Sequence, residues 1–452
     1  MKKLSILLPT LLVAGCVNLA PKNQTPEMDK VALSQYEEII SKQYQGINVN
    51  SWEDYIVGNQ LREVIIKALD NNKDIEIAEI NIEKAIEAFR ISKTDNLPKI
   101  DLGVEASKGK AQTTTESLSA DIGFSSYELD FFGKVKNQNK AALKEYESII
   151  EDSRVVKKTV INKTLLILNS IASNNEMLDK LNDIYINAQE AENIIEKKVK
   201  FGLSKESDLS NAKLITLRAK YDLEATRTEL YKNKTALNII VGEVINDNNL
   251  PRNLSDMRNQ FSMSGVDIDS ELMLMRPDIL MVEKKLEAAD ANIGIARASF
   301  YPSIKLTSNV GLISNDLSNL TTSGTWLVAP SINLPIFNSG LNKSKLKISK
   351  LERKRLVSEY QKTVNNAFKE VADNLYEKES LISQLKIFSE LLIESNKSYD
   401  LAESAYKEGI ADFLDILTLK RELYKTEKEF ITLKGREFEN MINLYHSVSA
   451  YK

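Results

Sequence analysis

An α+β membrane protein, built by duplicating one plan of β hairpin and very long helix, is the fold class this sequence predicts. Three observations carry that expectation. Residues 134–201 and 341–408 each run for 68 positions without a single Gly or Pro. Each run follows two short segments in which apolar and polar residues alternate. Landmarks of the first half recur in the second: Pro302 lies 204 positions after Pro98, and Gly409 lies 207 after Gly202. That period is far too long for a solenoid repeat.

The chain begins MKKLSILLPTLLVAGC. Lys2 and Lys3 form a basic n-region, and Leu4 to Val13 form a short apolar core. The run is too short to span a bilayer, so residues 1–15 read as a signal peptide. Val13-Ala14-Gly15-Cys16 resembles the lipobox of bacterial lipoproteins, which makes Cys16 the expected site of lipid attachment. Several acyl chains on one residue would hold it stably at a membrane surface. Cys16 is the only cysteine among 452 residues, so no disulfide can form within the chain.

Apolar residues make up 42% of the chain and charged residues 27%, with a net charge of −4 and both signs mixed throughout. We expect no basic stripe, so nucleic acid is not an expected partner. The 16 Gly and 9 Pro are few for this length and favour helix. His446 is the only histidine. With one His and one Cys, no zinc cluster, catalytic triad or Cys nucleophile can be assembled. No phosphate-binding Gly loop occurs either. We expect no metal, no cofactor and no enzymatic activity.

Residues 59–97 lack Gly and Pro and read as one helix, ended by Pro98. KIDLGVEAS follows as a strand, with Ile100, Leu102, Val104 and Ala106 on one face. A polar loop leads to LSADIGF, where Leu118, Ala120, Ile122 and Phe124 alternate with polar residues. Gly133 then separates strand from helix, and residues 134–201 would extend about 100 Å at 1.5 Å per residue. Gly202 bounds that helix, and another is expected over 203–241. After a less regular linker, 242–277, the plan repeats. A helix spans 278–301 between Pro277 and Pro302, and SIKLTSNVGL and WLVAPSINLPIF form the second hairpin. Gly340, a helix over 341–408, Gly409 and a last helix complete it. Val160, Ile167, Leu181, Ala188 and Ile195 fall on one seven-residue track, broken at Asn174. Leu417, Tyr424, Ile431, Phe438 and Tyr445 fall on another. Such tracks imply helices packed side by side with a supercoil. The shorter helices, 59–97 with 203–241 and 278–301 with 410–452, together approach the length of one long helix.

Strands of about 9–11 residues with one apolar and one polar face match outer-membrane barrel strands. The polar face carries Lys99, Asp101, Glu105, Asp121, Lys305, Thr307 and Asn309 and would suit a water-filled lumen. Four strands cannot close a barrel, and an open sheet edge in lipid costs several kcal/mol per unpaired group. Several chains must therefore share one barrel. Three would give twelve strands and a channel, two would give eight and little passage, and the spacing itself does not choose.

LMLMRPDILMVEKKLEAADANIGIARASFYPSIKLTSNVG (272–311) resembles the signature of the TolC-type outer membrane efflux factors, in the lipoprotein branch of the OprM, NodT and CusC kind. YELDFFGKVKNQ resembles that branch's strand-to-helix junction, and LPIFNSG and NAFKEVADNL resemble segments of its second half. The resemblance covers nearly the whole mature chain. It implies a homotrimer in the outer membrane with a shared twelve-stranded barrel and a helical periplasmic tunnel. The hairpins at 98–133 and 302–340 would build the barrel. Residues 59–97, 134–241, 278–301 and 341–452 would build the tunnel, and 16–58 with 242–277 an equatorial region. It further implies a periplasmic membrane-fusion adaptor protein and an inner-membrane RND-type transporter as partners.

In that family the tunnel is closed by its helix-turn tips. The tips here are KFGLSKESDLSNAK and KEGIADFLDILTLK, turning at Gly202 and Gly409. Asp208, Asp412, Leu414 and Asp415 are the expected gate residues, since threefold symmetry would make each Asp a ring of three that binds cations or repels itself. The same carboxylates also suit ordinary helix N-termini. Thr418 and Ala411 depart from the family pattern, where an acid and a latching Arg often stand. Two other readings compete: a lipid-anchored structural rod and the adaptor itself. A rod leaves the four strands unexplained, and an adaptor needs lipoyl-like segments that are absent. Cargo is not legible, with drugs and toxic compounds or copper and silver cations both open.

Overall fold

The structure, a computed structural model, describes residues 18–22, 51–110, 114–262, 273–315 and 323–449. Cys16, the signal segment and the tips of both hairpin loops lie outside the described residues. In chain order the elements are α1 (Asn59–Asn71), α2 (Lys73–Thr94), β1 (Asp101–Lys110), β2 (Thr114–Leu129), α3 (Lys134–Lys200), α4 (Glu206–Val241), α5 (Leu254–Asn259), α6 (Pro277–Ala298), β3 (Ser303–Ser314), β4 (Ser323–Asn333), α7 (Leu341–Lys407) and α8 (Phe413–Val448). Each half thus runs helix, two strands, long helix, helix. The long helices α3 and α7 have 67 residues each.

The single helix expected over 59–97 is in fact two. Asn72 is extended and buried between them. Its Oδ1 accepts from the amides of Asp74 (2.9 Å) and Ile75 (3.3 Å), capping α2. Its Nδ2 donates to the carbonyl of Ile240 at 2.8 Å. Asn is a strong helix N-cap, so the break needs neither Gly nor Pro.

The chain divides into two compact units. One gathers Glu79–Asp152, Asp278–Lys362 and the N-terminal residues 18–22. It holds a four-stranded antiparallel sheet in the order β1-β2-β3-β4. Leu102 pairs with Ile122, Ile122 with Val310, and Val310 with Trp326, so apolar residues line up across all four strands on one face. Leu102, Val104, Val310, Trp326 and Val328 are each more than half exposed in the single chain. The opposite face carries Asp101, Glu105, Asp121, Lys305, Thr307 and Asn309, with Ile313 and Leu327 as apolar exceptions.

β2 runs further than LSADIGF, on to Leu129, and its register with β3 shifts between Phe124 and Tyr127. Ser126 adopts φ 58° there. This bulge moves the side-chain alternation by one, so that Tyr127 (opposite Leu306) and Leu129 (opposite Ile304) rejoin the apolar face. On the polar face the strands approach closely at Gly311. A Cβ there would lie 2.2 Å from the carbonyl oxygen of Ala120 and 2.6 Å from the Cα of Asp121.

The second unit gathers Ser153–Pro277, Thr363–Lys452 and residues 51–78. Its core contains Leu165, Leu168, Ile171 and Ala172 of α3, all buried, with Leu237 of α4 and Phe438 and Ile442 of α8. The first predicted track holds at Val160, Leu181, Ala188 and Ile195, while Ile167 is only half-buried. Residues 51–58 are stitched to 260–262: the amides of Val57 and Gly58 donate to the carbonyl of Gln260, and that of Ser262 donates to the carbonyl of Tyr55. Tyr55 stacks on Tyr445 at 4.6 Å between ring centroids, and Phe261 meets Phe438 edge-on at 4.8 Å. The guanidinium of buried Arg276 donates to the carbonyl of Ser447 (2.9 Å) and to Glu370 (2.9 Å).

Gly311→Val should prevent β2 and β3 from pairing, because the new Cβ meets backbone that cannot move aside. We expect the folded, heat-modifiable form on electrophoresis to fall at least tenfold, with Gly109→Val, where the nearest atom is 3.5 Å away, little changed.

Candidate functional site

Two features stand out as places where this chain meets something else: the turns joining α3 to α4 and α7 to α8, and the uncovered sheet. At the first turn Gly202 takes φ 70° and at the second Gly409 takes φ 75°. Left-handed φ is routine only for Gly. The hydrogen bonds match at both. Gly202 N donates to Val199 O (2.9 Å) and Leu203 N to Lys198 O (2.7 Å). Gly409 N donates to Tyr406 O (3.0 Å) and Ile410 N to Ala405 O (2.8 Å). This is the Schellman arrangement at a helix C-terminus. It leaves Phe201, Leu203 and Ile410 at the tips, each more than three-quarters exposed.

The structure separates the expected gate residues by what they already do. Asp208 is half-buried, and its Oδ2 accepts from the Lys205 amide (3.1 Å) and the Ser204 hydroxyl (2.9 Å). It therefore serves as a helix-start clasp for α4. Asp412 stands at the N-cap of α8 but makes no side-chain cap hydrogen bond, and Asp415 lies in the first turn. Asp412, Leu414 and Asp415 are all exposed, whereas Asp208 is engaged.

Just behind the tips the structure shows contacts that the sequence reading missed. The Lys198 ammonium donates to the Tyr406 hydroxyl (2.7 Å) and lies 4.7 Å from that ring's centroid, joining α3 to α7. Tyr406 in turn packs on Phe413 of α8. Lys180 of α3 pairs with Glu427 of α8 (2.7 Å), Glu176 of α3 with Lys434 of α8 (2.6 Å), and Asp222 of α4 with Lys428 of α8. Opposite charges flanking the apolar tracks were the legible signal, since such positions pair between neighbouring helices.

A cleft of about 540 Å³ lies among α3, α7 and α8, lined in part by Glu190, Tyr399, Glu403, Lys420 and Tyr424. Lys420 sits 5.4 Å from the Tyr399 ring centroid and 5.8 Å from that of Tyr424. Burial pushes its ammonium below the ordinary lysine value of 10.5, opposed in part by Glu403 and Glu190. Burial, with the neighbouring Glu403 carboxylate, pushes the Tyr399 phenol up to about 12. Its hydroxyl donates to Glu403 at 3.2 Å. No group of His, Cys, Asp and Glu suited to hold a metal ion occurs among the described residues.

Four strands with an uncovered apolar face, each hairpin feeding an unbroken 67-residue helix, define one protomer of a membrane channel with a helical extension. Comparison with known proteins makes this specific. A family model described as outer membrane efflux protein matches residues 64–243 and again 270–449. The chain belongs to that family, and the double match restates its internal duplication. It is 31% identical over 450 residues to the cation efflux system protein CusC of Escherichia coli (strain K12), covering 96% of each chain. It is likewise 31% identical to the probable outer membrane lipoprotein SilC of Salmonella typhimurium, covering 96% of this chain and 95% of that one. It is 28% identical to the toluene efflux pump outer membrane protein TtgC of Pseudomonas putida, covering 98% and 94%. Among solved structures, CusC superposes with a TM-score of 0.83 at 29% identity over 96% of this chain and all of that one. The open state of the MtrE outer membrane channel of Neisseria gonorrhoeae gives 0.84 at 26% identity, over 96% and 99%. The fold is thus a helical tunnel with a β barrel that is shared among protomers, and the protein is an outer-membrane efflux channel of tripartite systems.

Between its lowered value and 10.5, Lys420 is neutral when folded and charged when unfolded, so raising the pH through that window stabilises the fold. Below the window both states are charged and this gain is lost. The melting temperature of the parent relative to Lys420→Met should therefore climb as pH approaches 10.5. A difference flat with pH would contradict the burial of this ammonium.

Proposed function

We propose that this chain is a passive, lipid-anchored homotrimeric conduit that performs no chemistry. The sheet supports this reading most directly. Its outer strands β1 and β4 have free edges, and its apolar face is bare. In lipid those edges must be paired by other copies. Three copies give twelve strands and an aqueous lumen, whereas eight strands leave an interior filled by side chains. Cys16 is the proposed lipid attachment, in keeping with the lipoprotein name of SilC.

The polar sheet face would line the lumen. Asp101, Glu105 and Asp121 outnumber Lys99 and Lys305 there, which favours cations in transit. The helix-turn tips would form the gate. Asp412, Leu414 and Asp415, exposed in the single chain, are the residues we take to meet their symmetry mates, and Asp208 would contribute by holding the start of α4. Opening requires α7 and α8 to shift against α3, so the Lys198–Tyr406 hydrogen bond acts as a latch. A periplasmic membrane-fusion adaptor and an inner-membrane RND-type transporter would supply the force and the cargo.

The cargo we favour is drugs and other toxic compounds delivered by the pump. The second reading is copper or silver export. Identity to the cation efflux protein CusC favours it, as does the excess of carboxylates on the polar sheet face.

Purified protein in a planar bilayer should give discrete, weakly cation-selective conductance steps; a rod or an adaptor would give none. Tyr406→Phe removes a hydrogen bond of about 1 kcal/mol, which should raise the open-to-closed ratio roughly fivefold. Asp412→Asn with Asp415→Asn should lower cation selectivity without changing assembly, and no change would remove them from the gate. Sensitivity of deletion strains to toluene and antibiotics, against copper and silver, separates the two cargo readings.

A further inference from the structure

The first turns of α7 run against the usual charge preference of a helix start. Acidic residues favour helix N-termini, yet the first turn of α7 contains none, and neither does that of α3. Instead Lys343, Lys347, Lys350 and Lys354 follow one another at four-, three- and four-residue steps, which places them on one face. Like charges at that spacing repel one another. All four are exposed, and no hydrogen bond or ion pair of their side chains occurs among the described residues. The near-neutral charge of the whole chain hides this stripe from a composition count.

Its direction follows from the helix itself. At 100° per residue, the α7 residues packed on the rest of their unit (Asn342, Arg353, Leu356, Tyr360) and its bare apolar residues (Leu341, Ile348, Leu351) lie about 130° apart one way and about 230° the other. The lysines occupy the middle of the wider arc. In a closed ring each helix touches a neighbour on either side, and the wider arc between those contacts faces outward. The lysine face therefore points away from the lumen, a step that rests on the proposed ring.

Its height is set by the junction. Lys343 lies three residues past Gly340, and just before that turn Leu334, Ile336 and Phe337 are exposed, Ile336 at 94%. This exposed apolar group follows Ile332 of the bare face along the chain and leads into the start of the helix. The other half repeats the feature where it is nearest the strands. At the offset of 207 that relates Gly133 to Gly340, Lys136 and Lys140 correspond to Lys343 and Lys347, while Leu143 and Glu147 replace the more distant lysines. Lys136 is exposed and Lys140 half-buried. Phe131 stands above them, 37% exposed.

We propose that Lys136, Lys140, Lys343 and Lys347 form a girdle that binds anionic phospholipid headgroups of the periplasmic leaflet of the outer membrane. The apolar and aromatic residues above enter the acyl region, and the ammonium groups meet lipid phosphates one to two helical turns below. The same charges that weaken the isolated helix are then neutralised by the membrane surface. The lysines fix the height at which tunnel leaves barrel.

The test uses full-length protein reconstituted in nanodiscs of phosphatidylethanolamine with one-fifth phosphatidylglycerol. Native mass spectrometry counts the phosphatidylglycerol that survives release. The parent should retain it in preference to phosphatidylethanolamine. The variant Lys136→Gln/Lys140→Gln/Lys343→Gln/Lys347→Gln should lose that preference roughly tenfold, with conductance and ion selectivity unchanged. Replacing the same four by Arg should keep it, and Lys220→Gln with Lys386→Gln should not affect it. If the fourfold Gln variant fails to assemble, Lys343→Gln/Lys347→Gln alone should cut the preference by at least threefold. Unchanged lipid retention in an assembled, conducting variant overturns the girdle and leaves the channel reading intact. A shift in ion selectivity would put the lysines in the lumen and also overturn it. Absence of conductance in the parent instead refutes the conduit.

Discussion

Backbone groups at a sheet edge have no water to bond to inside a bilayer, and this single constraint organises the rest of the molecule. β1 and β4 are edges in the single chain. The cost of leaving them open in hydrocarbon is several kcal/mol per group, larger than the whole stability of many domains once summed over a strand. Assembly is therefore a condition for the sheet to exist where its apolar face requires it to be. The alternation of faces, the bulge at Ser126 and the close approach at Gly311 all serve one end: a sheet whose apolar residues gather mainly on one face.

The helical part answers a different demand with the same duplicated plan. Each half hands its strands to an unbroken helix through a Gly at positive φ, Gly133 or Gly340. Each long helix then reverses through one Schellman turn, at Gly202 or Gly409. Buried apolar residues hold neighbouring helices together over the middle of α7, from Leu356 to Leu381, and over α3 from Val160 to Ile195. Nearer the tips, polar contacts (Lys198 on Tyr406, Lys420 between two tyrosines) stand beside the buried Ala188, Ile215 and Leu417. Polar contacts are easier to exchange for water than apolar ones, which suits the gate proposed there.

Much of this was legible in the sequence. Counting Gly and Pro located α3 and α7, because nothing else breaks so long a helix as reliably, and alternation located the four strands. The break at Asn72 escaped that count, since an Asn can end a helix only when its side chain finds amides to cap and a carbonyl to bond, here that of Ile240 far along the chain. The bulge at Ser126 escaped because it restores the alternation only after interrupting it. Among the tip residues, sequence could name Asp208, Asp412 and Asp415 but could not tell that the first is engaged with Ser204 and Lys205 while the others are exposed. The Lys198–Tyr406 contact joins residues 208 apart, a distance over which no local pattern speaks.

The central claim, that β4 of one copy completes its hydrogen bonds on β1 of the next, can be tested by covalent trapping. With Cys16 replaced, no other native cysteine interferes. A panel of cysteine pairs, one on β1 and one on β4, would be oxidised in intact outer membranes and resolved under denaturing conditions. At one register the account predicts a ladder of one, two and three chains that stops at three. A monomer closed on itself, or no cross-link at any register, would contradict it.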